Sequence, residues 1–461
     1  MFETVKIVNF KSIIEAEVNF TPLTVIVGAN GAGKSNLIKA LKFLSTIPHI
    51  GVVDTVNRYG KFRSLVPKAI PAQDEQTTRI KFHYQVLLPP LTGYSKELPP
   101  VMVRHELELA HSGKEAIRVA RERLEFHQAL AVAEYMEHYD DEDKIDQSLL
   151  AKRSKFILER GPRGAISYNA DPSLAQALHA YLKWLGLSFV GDVKSATALK
   201  RILKSMVDRR GESLHKLRDS KQSYLSFLDP NVKTVVSYAP QATTFRALLG
   251  WVQRYDLLLG ALRPEQQVSG ISRLSTIGDN MPSVLRYVRS ASNETSWNRI
   301  LRTLSVIAPH ITSIRPNSLR TGKEFVEFEE NTATRAVESW ESSDGTLRAL
   351  AILLALETHP HHSTILIEEP ERNLHPWAVR EIIEHIREVI EERNIQVIIA
   401  THSQQVLERV YPEEVLVATR TAQEGTKFQT LKEILPHSDI LMGEVAQLWV
   451  KGLLGGVPSD E

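Results

Sequence analysis

Four short runs hold residues whose types and spacing suit phosphate chemistry. The first is Gly28-Ala29-Asn30-Gly31-Ala32-Gly33-Lys34-Ser35, followed by Asn36. It has the G-x-x-x-x-G-K-[ST] spacing, with an apolar run from Leu23 to Val27 before it and an amphipathic one from Leu37 to Leu41 after it. Glycines let backbone N–H groups close around phosphate oxygens, and a helix starting there turns its positive end toward them. Gly28, Ala29, Asn30, Gly31, Ala32, Gly33 and Asn36 then line a nucleotide-phosphate cradle. Lys34 offsets β- and γ-phosphate charge, and Ser35 offers its hydroxyl to Mg²⁺.

The second run is Thr364-Ile365-Leu366-Ile367-Glu368-Glu369-Pro370-Glu371. Its apolar residues predict a central strand with carboxylates at the C-terminal end, where α/β sheets bind ligands. Glu368 is expected in the Mg²⁺ shell and Glu369 beside an attacking water, which it orients and polarises. The other reading is an acidic loop after a buried strand. The third run, Ala400-Thr401-His402-Ser403, ends the next strand and offers His402 to a γ-phosphate; a histidine at a strand end is otherwise structural or solvated. The fourth, Ser342-Ser343-Asp344-Gly345-Thr346, opens a helix, with Ser343 and Gly345 supplying hydroxyl and backbone donors. A second phosphate-binding helix start is natural if two chains face each other across the nucleotide. An ordinary N-cap at Ser343 or Asp344 uses the same residues.

The elements that must carry these runs are legible around them. Thr4 to Val8, Ile14 to Phe20 and Arg79 to Val86 alternate apolar with polar, as half-buried strands do, and Leu23 to Val27 reads as a strand covered on both faces. Phe325 to Glu329 alternates as well. Thr364–Ile367 and Ile395–Ala400 read as buried strands joined by a helix over 379–392, with apolar residues at Val379, Ile382, Ile383, Ile386, Val389 and Ile390. A strand–helix–strand crossover makes those two strands parallel. Residues 115–265 read as mainly helical. They include an acidic stretch, 134–146, with seven carboxylates against one lysine, and a basic stretch, Lys194 to Lys221, with nine Lys/Arg against three Asp/Glu. Both suit solvated surface or a partner's contact surface. The predicted division is an N-terminal lobe over 1–114, a helical insertion over 115–265 and a C-terminal lobe over 266–461.

Composition sets limits. The chain has 461 residues, Lys+Arg 56 against Asp+Glu 55, and no cysteine, which excludes disulfides, thiolate zinc sites and iron–sulfur clusters. No global positive field points to nucleic acid, so any such surface is a local patch. The apolar stretch Ala349 to Leu356 is far too short to span a bilayer, and the N-terminus lacks an apolar signal core, so a soluble cytoplasmic protein is expected.

Together the runs resemble an ABC-type ATPase head of the SMC, RecF and break-repair kind, an α/β P-loop fold in which a split domain carries an insertion. GANGAGKS is similar to a Walker A loop, ILIEEPE to Walker B with its glutamate, SSDG to the signature motif, Glu371 to Pro376 to a D-loop and ATHS to a histidine switch. SDGTLRALAILLAL with IEEPERNLHP further resembles AAA-family ATPases of bacterial anti-phage systems, of the OLD, PARIS and Septu kind. The resemblance covers about 1–110 and 265–461. It implies ATP and Mg²⁺ as cofactors and self-assembly as a dimer or larger homo-oligomer with ATP between heads. It also implies a separate effector such as a TOPRIM or HNH nuclease, and a phage-encoded trigger or DNA as further partner. Glu368 stands where the family usually has Asp. A Q-loop is not placed: Gln73 and Gln76 lie in a polar loop, and Arg58 or Arg63 are candidates for the arginine found nearby. The 58 residues after Ser403 contain no D-x-D, so no TOPRIM half is expected there. The competing function is a RecF-like clamp that holds DNA directly. A third reading, a stand-alone nuclease with a metal site at the histidines of HPHH (359–362), is poorly supported because these lie in the turn before the Thr364 strand.

Overall fold

The computed structural model describes residues 1–71, 74, 77–89, 101–111, 117–127, 155–160, 166–170, 245, 247–290, 294–421, 423–436 and 440–454. In chain order the strands are β1 (Phe2–Phe10), β2 (Ile13–Asn19), β3 (Leu23–Val27), β4 (Arg79–Leu88), β5 (Val101–His111) and β6 (Ile117–His127). Then follow β7 (Lys155–Arg160), β8 (Ile166–Ala170), β9 (Val252–Tyr255), β10 (Gln266–Gln267), β11 (Ile311–Ser318) and β12 (Lys323–Glu330). The last five are β13 (Val337–Glu338), β14 (Thr364–Glu368), β15 (Gln396–Thr401), β16 (Val415–Thr421) and β17 (Gly425–Thr430). The chain divides into two compact units: Met1–Asn19, Lys39–Gly250 and Thr421–Lys427 form one, and Phe20–Ile38, Trp251–Arg420 and Phe428–Glu461 the other.

The first unit is built on antiparallel pairing in the order β8-β7-β6-β5-β4-β1-β2-β17. Alternation in β1 and β4 sends Val5, Ile7, Ile80, Phe82 and Tyr84 inward, where Phe82 meets Phe10 and Phe43 at ring distances of 5.4 and 5.6 Å. The expectation of mainly helical structure over 115–265 does not hold at its described residues 117–127, 155–160 and 166–170, which are strands, while 171–244 lie outside the described residues. Its described part opens with β6, β7 and β8, is helical at 247–250, and continues through β9 to a short helix, Leu259–Leu262. In β6 the buried Ile117, Val119 and Leu124 sit among Arg118, Arg121 and Arg123. Period-two pairing with β5 decides the structure instead. A buried relay crosses this face: His105 Nδ1 lies 2.9 Å from the Tyr84 hydroxyl, and its Nε2 lies 2.9 Å from Glu122 Oε1. The acidic and basic stretches and Gln73 and Gln76 lie outside the described residues.

The second unit holds a parallel sheet in the order β16-β3-β15-β14-β9. β3 and β15 are buried along their whole length and β14 up to Ile367, as strands covered on both faces must be. Helix Pro376–Arg393 joins β14 to β15, so the expected crossover and its parallel pairing are found. Helix Asp344–Glu357 is buried at every residue from Thr346 to Glu357, which explains why it is apolar all round rather than on one stripe. Removing one of its buried leucines, such as Leu350, would cost about 2–5 kcal/mol. A smaller antiparallel sheet, β10-β12-β11 with β13 on β12, completes the unit. Among the described residues no helix is long and apolar enough to cross a membrane.

Candidate functional site

Register brings three strand ends together in the second unit. Val27 of β3 pairs with Thr401 of β15, and Ala400 of β15 pairs with Glu368 of β14. The glycine loop, His402 and the Glu368–Glu371 run therefore leave one rim of one sheet. In the loop, Gly31 (φ 81°) and Gly33 (φ 107°) take left-handed conformations that favour glycine. A Cβ on Gly28 would lie 2.4 Å from the Ala418 carbonyl oxygen, so only glycine passes there. The loop closes on itself through Ala32 N–H to Ala29 O (3.1 Å) and Asn36 N–H to Gly33 O (2.9 Å); Asn30 is exposed and Ser35 half-buried. Lys34 Nζ donates to the carbonyls of Gly28 (2.5 Å) and Ala29 (3.0 Å). Burial lowers its pKa from the usual lysine value, against the upward pull of Glu369, Glu371 and Glu368. Arg420 donates to the Gly31 carbonyl at 3.3 Å.

Each carboxylate has its own setting. Glu368 accepts from Arg254 Nε at 2.8 Å, an arginine delivered by the neighbouring β9. Glu369 has φ 50°, a left-handed backbone that costs about 1–3 kcal/mol for a residue with a side chain. Its N–H donates to Ala400 O (2.8 Å) and its carbonyl accepts from Arg348 Nη2 (2.8 Å). Arg348 is only 4% exposed and also donates to the Leu257 carbonyl at 2.9 Å. The pinned backbone leaves the Glu369 side chain 44% exposed at the rim. Glu371 Oε1 accepts from the Thr401 hydroxyl at 2.6 Å, while its Oε2 is buried without a hydrogen-bond partner. His402 Nδ1 lies 3.7 Å from Glu369 Oε1 and 3.9 Å from Glu371 Oε1. The Ser35 hydroxyl and these carboxylates are hard oxygen donors of the type Mg²⁺ takes, and the orphaned Glu371 oxygen is an acceptor such a site can use.

The start of helix Asp344–Glu357 has a different construction. Ser343 is its N-cap: Oγ accepts from Thr346 N–H at 3.1 Å. Asp344 pairs with Arg263 and accepts from Asn373 Nδ2 at 3.5 Å. A Cβ on Gly345 would sit 3.0 Å from the Asn373 carbonyl, so this helix start rests on the loop that follows Glu371.

Four site residues were not singled out from sequence for these contacts: Arg254, Arg348, Glu371 and Arg420. Glu371 and Arg348 lay in quoted motifs without a role of their own; the arginines reach the site through register and helix packing, which no local spacing announces. The HPHH histidines are accounted for structurally in part, with His359 buried against the Tyr255 ring and 3.0 Å from Ser363 Oγ. Among the described residues no group of three or more His, Asp or Glu is arranged to hold a metal ion. Arg63 donates to the Ile70 carbonyl at 2.8 Å.

Residues 1–151 match a family model described as "AAA ATPase domain", and residues 258–408 match one described as an AAA domain of the "AbiEii toxin, Type IV TA system" group. The chain is 45% identical over 69 residues to the DNA replication and repair protein RecF of two strains of Porphyromonas gingivalis, a stretch covering 14% of this chain and 19% of the relative. It thus spans about a fifth of the length of the curated relatives it matches. Among solved structures it is similar to an Smc head bound to the C-winged helix domain of ScpA (TM-score 0.41, 14% identity, 94% of this chain and 99% of that one). It is also similar to the SMC head domain from Thermotoga maritima (TM-score 0.35, 12% identity, 93% and 98%). The chain therefore carries sequence of the AAA ATPase type over residues 1–151 and 258–408, and Lys34, Glu368, Glu369, Glu371 and His402 all fall inside those two spans.

Proposed function

We propose that this chain is an ABC-type ATPase that binds and hydrolyses ATP and uses the nucleotide to bring copies of itself together. What supports the reading is convergence: a lysine, three carboxylates and a histidine from three strand ends meet at one rim of a parallel sheet. In this proposal Gly28 to Asn36 cradle the phosphates, Lys34 exchanges its carbonyl partners for phosphate oxygens, and His402 contacts the γ-phosphate. Ser35 and Glu368 hold Mg²⁺, which when bound supplies neutralising charge to the phosphates. Glu369 orients a water and accepts its proton; the water oxygen bonds to the γ-phosphorus as the bond to the ADP oxygen breaks. Ser343 and Gly345 serve the nucleotide of a second copy. The proposed division keeps lobes over 1–114 and 266–461 around the region 115–265. Glu369→Gln keeps size but cannot take the proton, so turnover should fall by roughly 10²–10⁴ while ATP still binds. Turnover close to wild type in that variant would remove Glu369 from the mechanism.

The finer role we propose is control of a separately encoded effector, a nuclease of the TOPRIM or HNH kind, in anti-phage defence, with a phage-encoded trigger. It rests on the resemblance of SDGTLRALAILLAL and IEEPERNLHP to such ATPases. The match to RecF favours a second reading, a clamp acting on DNA in replication or repair. Direct clamping requires phosphate contacts, and hence DNA affinity that falls steeply with salt. Strong, salt-sensitive binding to duplex DNA selects the clamp, and its absence selects the effector switch.

A further inference from the structure

We infer that Arg254 is an internal counter-cation for Glu368, one that competes with the metal ion for this carboxylate and passes to Asp256 when the metal enters. The inference rests on the reading of Glu368 as the metal-holding carboxylate. Three observations carry it. β9 pairs in parallel with β14, opposite Arg254 being Leu366, so the arginine and Glu368, two residues further along β14, share one face of the sheet. Arg254 Nε donates to Glu368 Oε1 at 2.8 Å, with the two side chains 27% and 17% exposed, so the pair is largely shielded from water. The same guanidinium reaches a second carboxylate, Asp256 Oδ2, through Nη2 at 3.2 Å. Asp256 is the more exposed of the two acceptors, at 50%.

The sign of the effect follows from charge. A guanidinium on a metal-ligating carboxylate occupies its lone pairs and opposes an approaching dication, whether it leaves or stays close. Asp256 gives the arginine a partner to keep when Glu368 turns to the metal, which lowers the cost of release. Removing Arg254 therefore tightens metal binding, and removing Asp256 weakens it. A merely structural ion pair predicts the reverse for Arg254, because losing it would leave Glu368 unheld.

The test is direct binding of Mn²⁺, read by the loss of free-ion electron paramagnetic resonance signal, with a non-hydrolysable ATP analogue and the full chain. For Arg254→Gln the half-saturating Mn²⁺ concentration should fall by about 3- to 10-fold, the scale of one charge-assisted contact. For Asp256→Asn it should rise, and Arg254→Lys, which keeps the charge, should stay near wild type. Glu368→Gln separates the two layers. If it binds Mn²⁺ as tightly as wild type, Glu368 is not the metal carboxylate and the inference falls with that reading. If it binds more weakly while Arg254→Gln is unchanged or weaker too, the site reading stands and the counter-cation is refuted. Arg254→Lys also reports on folding: if it tracks wild type, a loss seen in Arg254→Gln belongs to the missing charge.

Discussion

Two helix starts in the same unit, at Lys34 and at Asp344, meet their exposed N–H groups by opposite means. Ahead of Lys34 stand Gly31, Ala32 and Gly33, with no hydroxyl or carboxylate to cap the helix, and both glycines are in left-handed conformations. Ahead of Asp344 stands Ser343, whose oxygen already accepts from Thr346, and Asp344 is fixed by Arg263 and Asn373. The three residues ahead of the first start carry no side-chain oxygen, while the second start is capped within the chain. Capping does not bar Ser343 from a phosphate. Its oxygen accepts as a cap, and the Ser343 and Thr346 hydroxyls share one hydrogen bond at 2.7 Å, which either can donate and which can be exchanged for one to a ligand. In the proposed function the first start serves the chain's own nucleotide and the second a neighbour's, and the variants below test that division.

The largest effect expected from breaking this contrast is at Lys34. Lys34→Ala removes the ammonium that now sits on two loop carbonyls, so ATP binding should be lost while the thermal transition stays near wild type. Wild-type affinity measured by calorimetry would show that the first start is not the phosphate site. At the second start, two changes to one residue should differ. Ser343→Ala removes the cap and costs about 0.5–2 kcal/mol of stability, with ATP binding to the chain's own loop kept. Ser343→Arg adds bulk and charge and should abolish ATP-dependent assembly; assembly unaffected in sedimentation would confine Ser343 to capping.

A pH-dependent effect lies at the far end of the second helix. Glu357 is buried, and burial pushes its carboxyl up, but His385 at 3.1 Å and Arg299 at 2.9 Å outweigh that and hold its pKa at about 2. A carboxyl depressed in the folded chain stabilises it above the ordinary value of 4.5, and that stability is lost as pH falls toward 2. The contribution is on the order of 3 kcal/mol. Denaturation followed across this acid range should show Glu357→Gln with a flatter dependence than wild type. Parallel profiles for the two would mean that the pair does not hold the end of this helix.

Local sequence was enough wherever the physics was local. The glycine loop, the buried runs that became β3, β14 and β15, and the apolar face of helix Pro376–Arg393 are all readable from periodicity and spacing. The adjacency of Glu368, Glu369 and His402 follows too, since a crossover of that length makes neighbouring parallel strands. Contacts across long separations were not readable. Arg254 and Glu368 are brought together by the pairing of β9 with β14, and β9 has only four residues and no apolar signature. Arg348 points to the Glu369 carbonyl because its whole helix is buried, leaving the guanidinium backbone carbonyls as acceptors. In β6 the alternation was present but carried by arginine and glutamate, so charge density concealed the period.

The claim that the two helix starts act on one nucleotide from two chains is tested most directly by mixing Lys34→Ala with Ser343→Arg chains. Each variant alone should be inactive. In a mixed dimer one composite site carries both defects and the other carries neither. With random pairing at equal amounts, turnover should then return to about a quarter of the wild-type level, as expected for two equivalent sites in a symmetric dimer. Turnover that stays at background although mixed dimers form, with Ser343→Arg alone assembling on ATP as wild type does, would contradict the account and place a complete site within each chain.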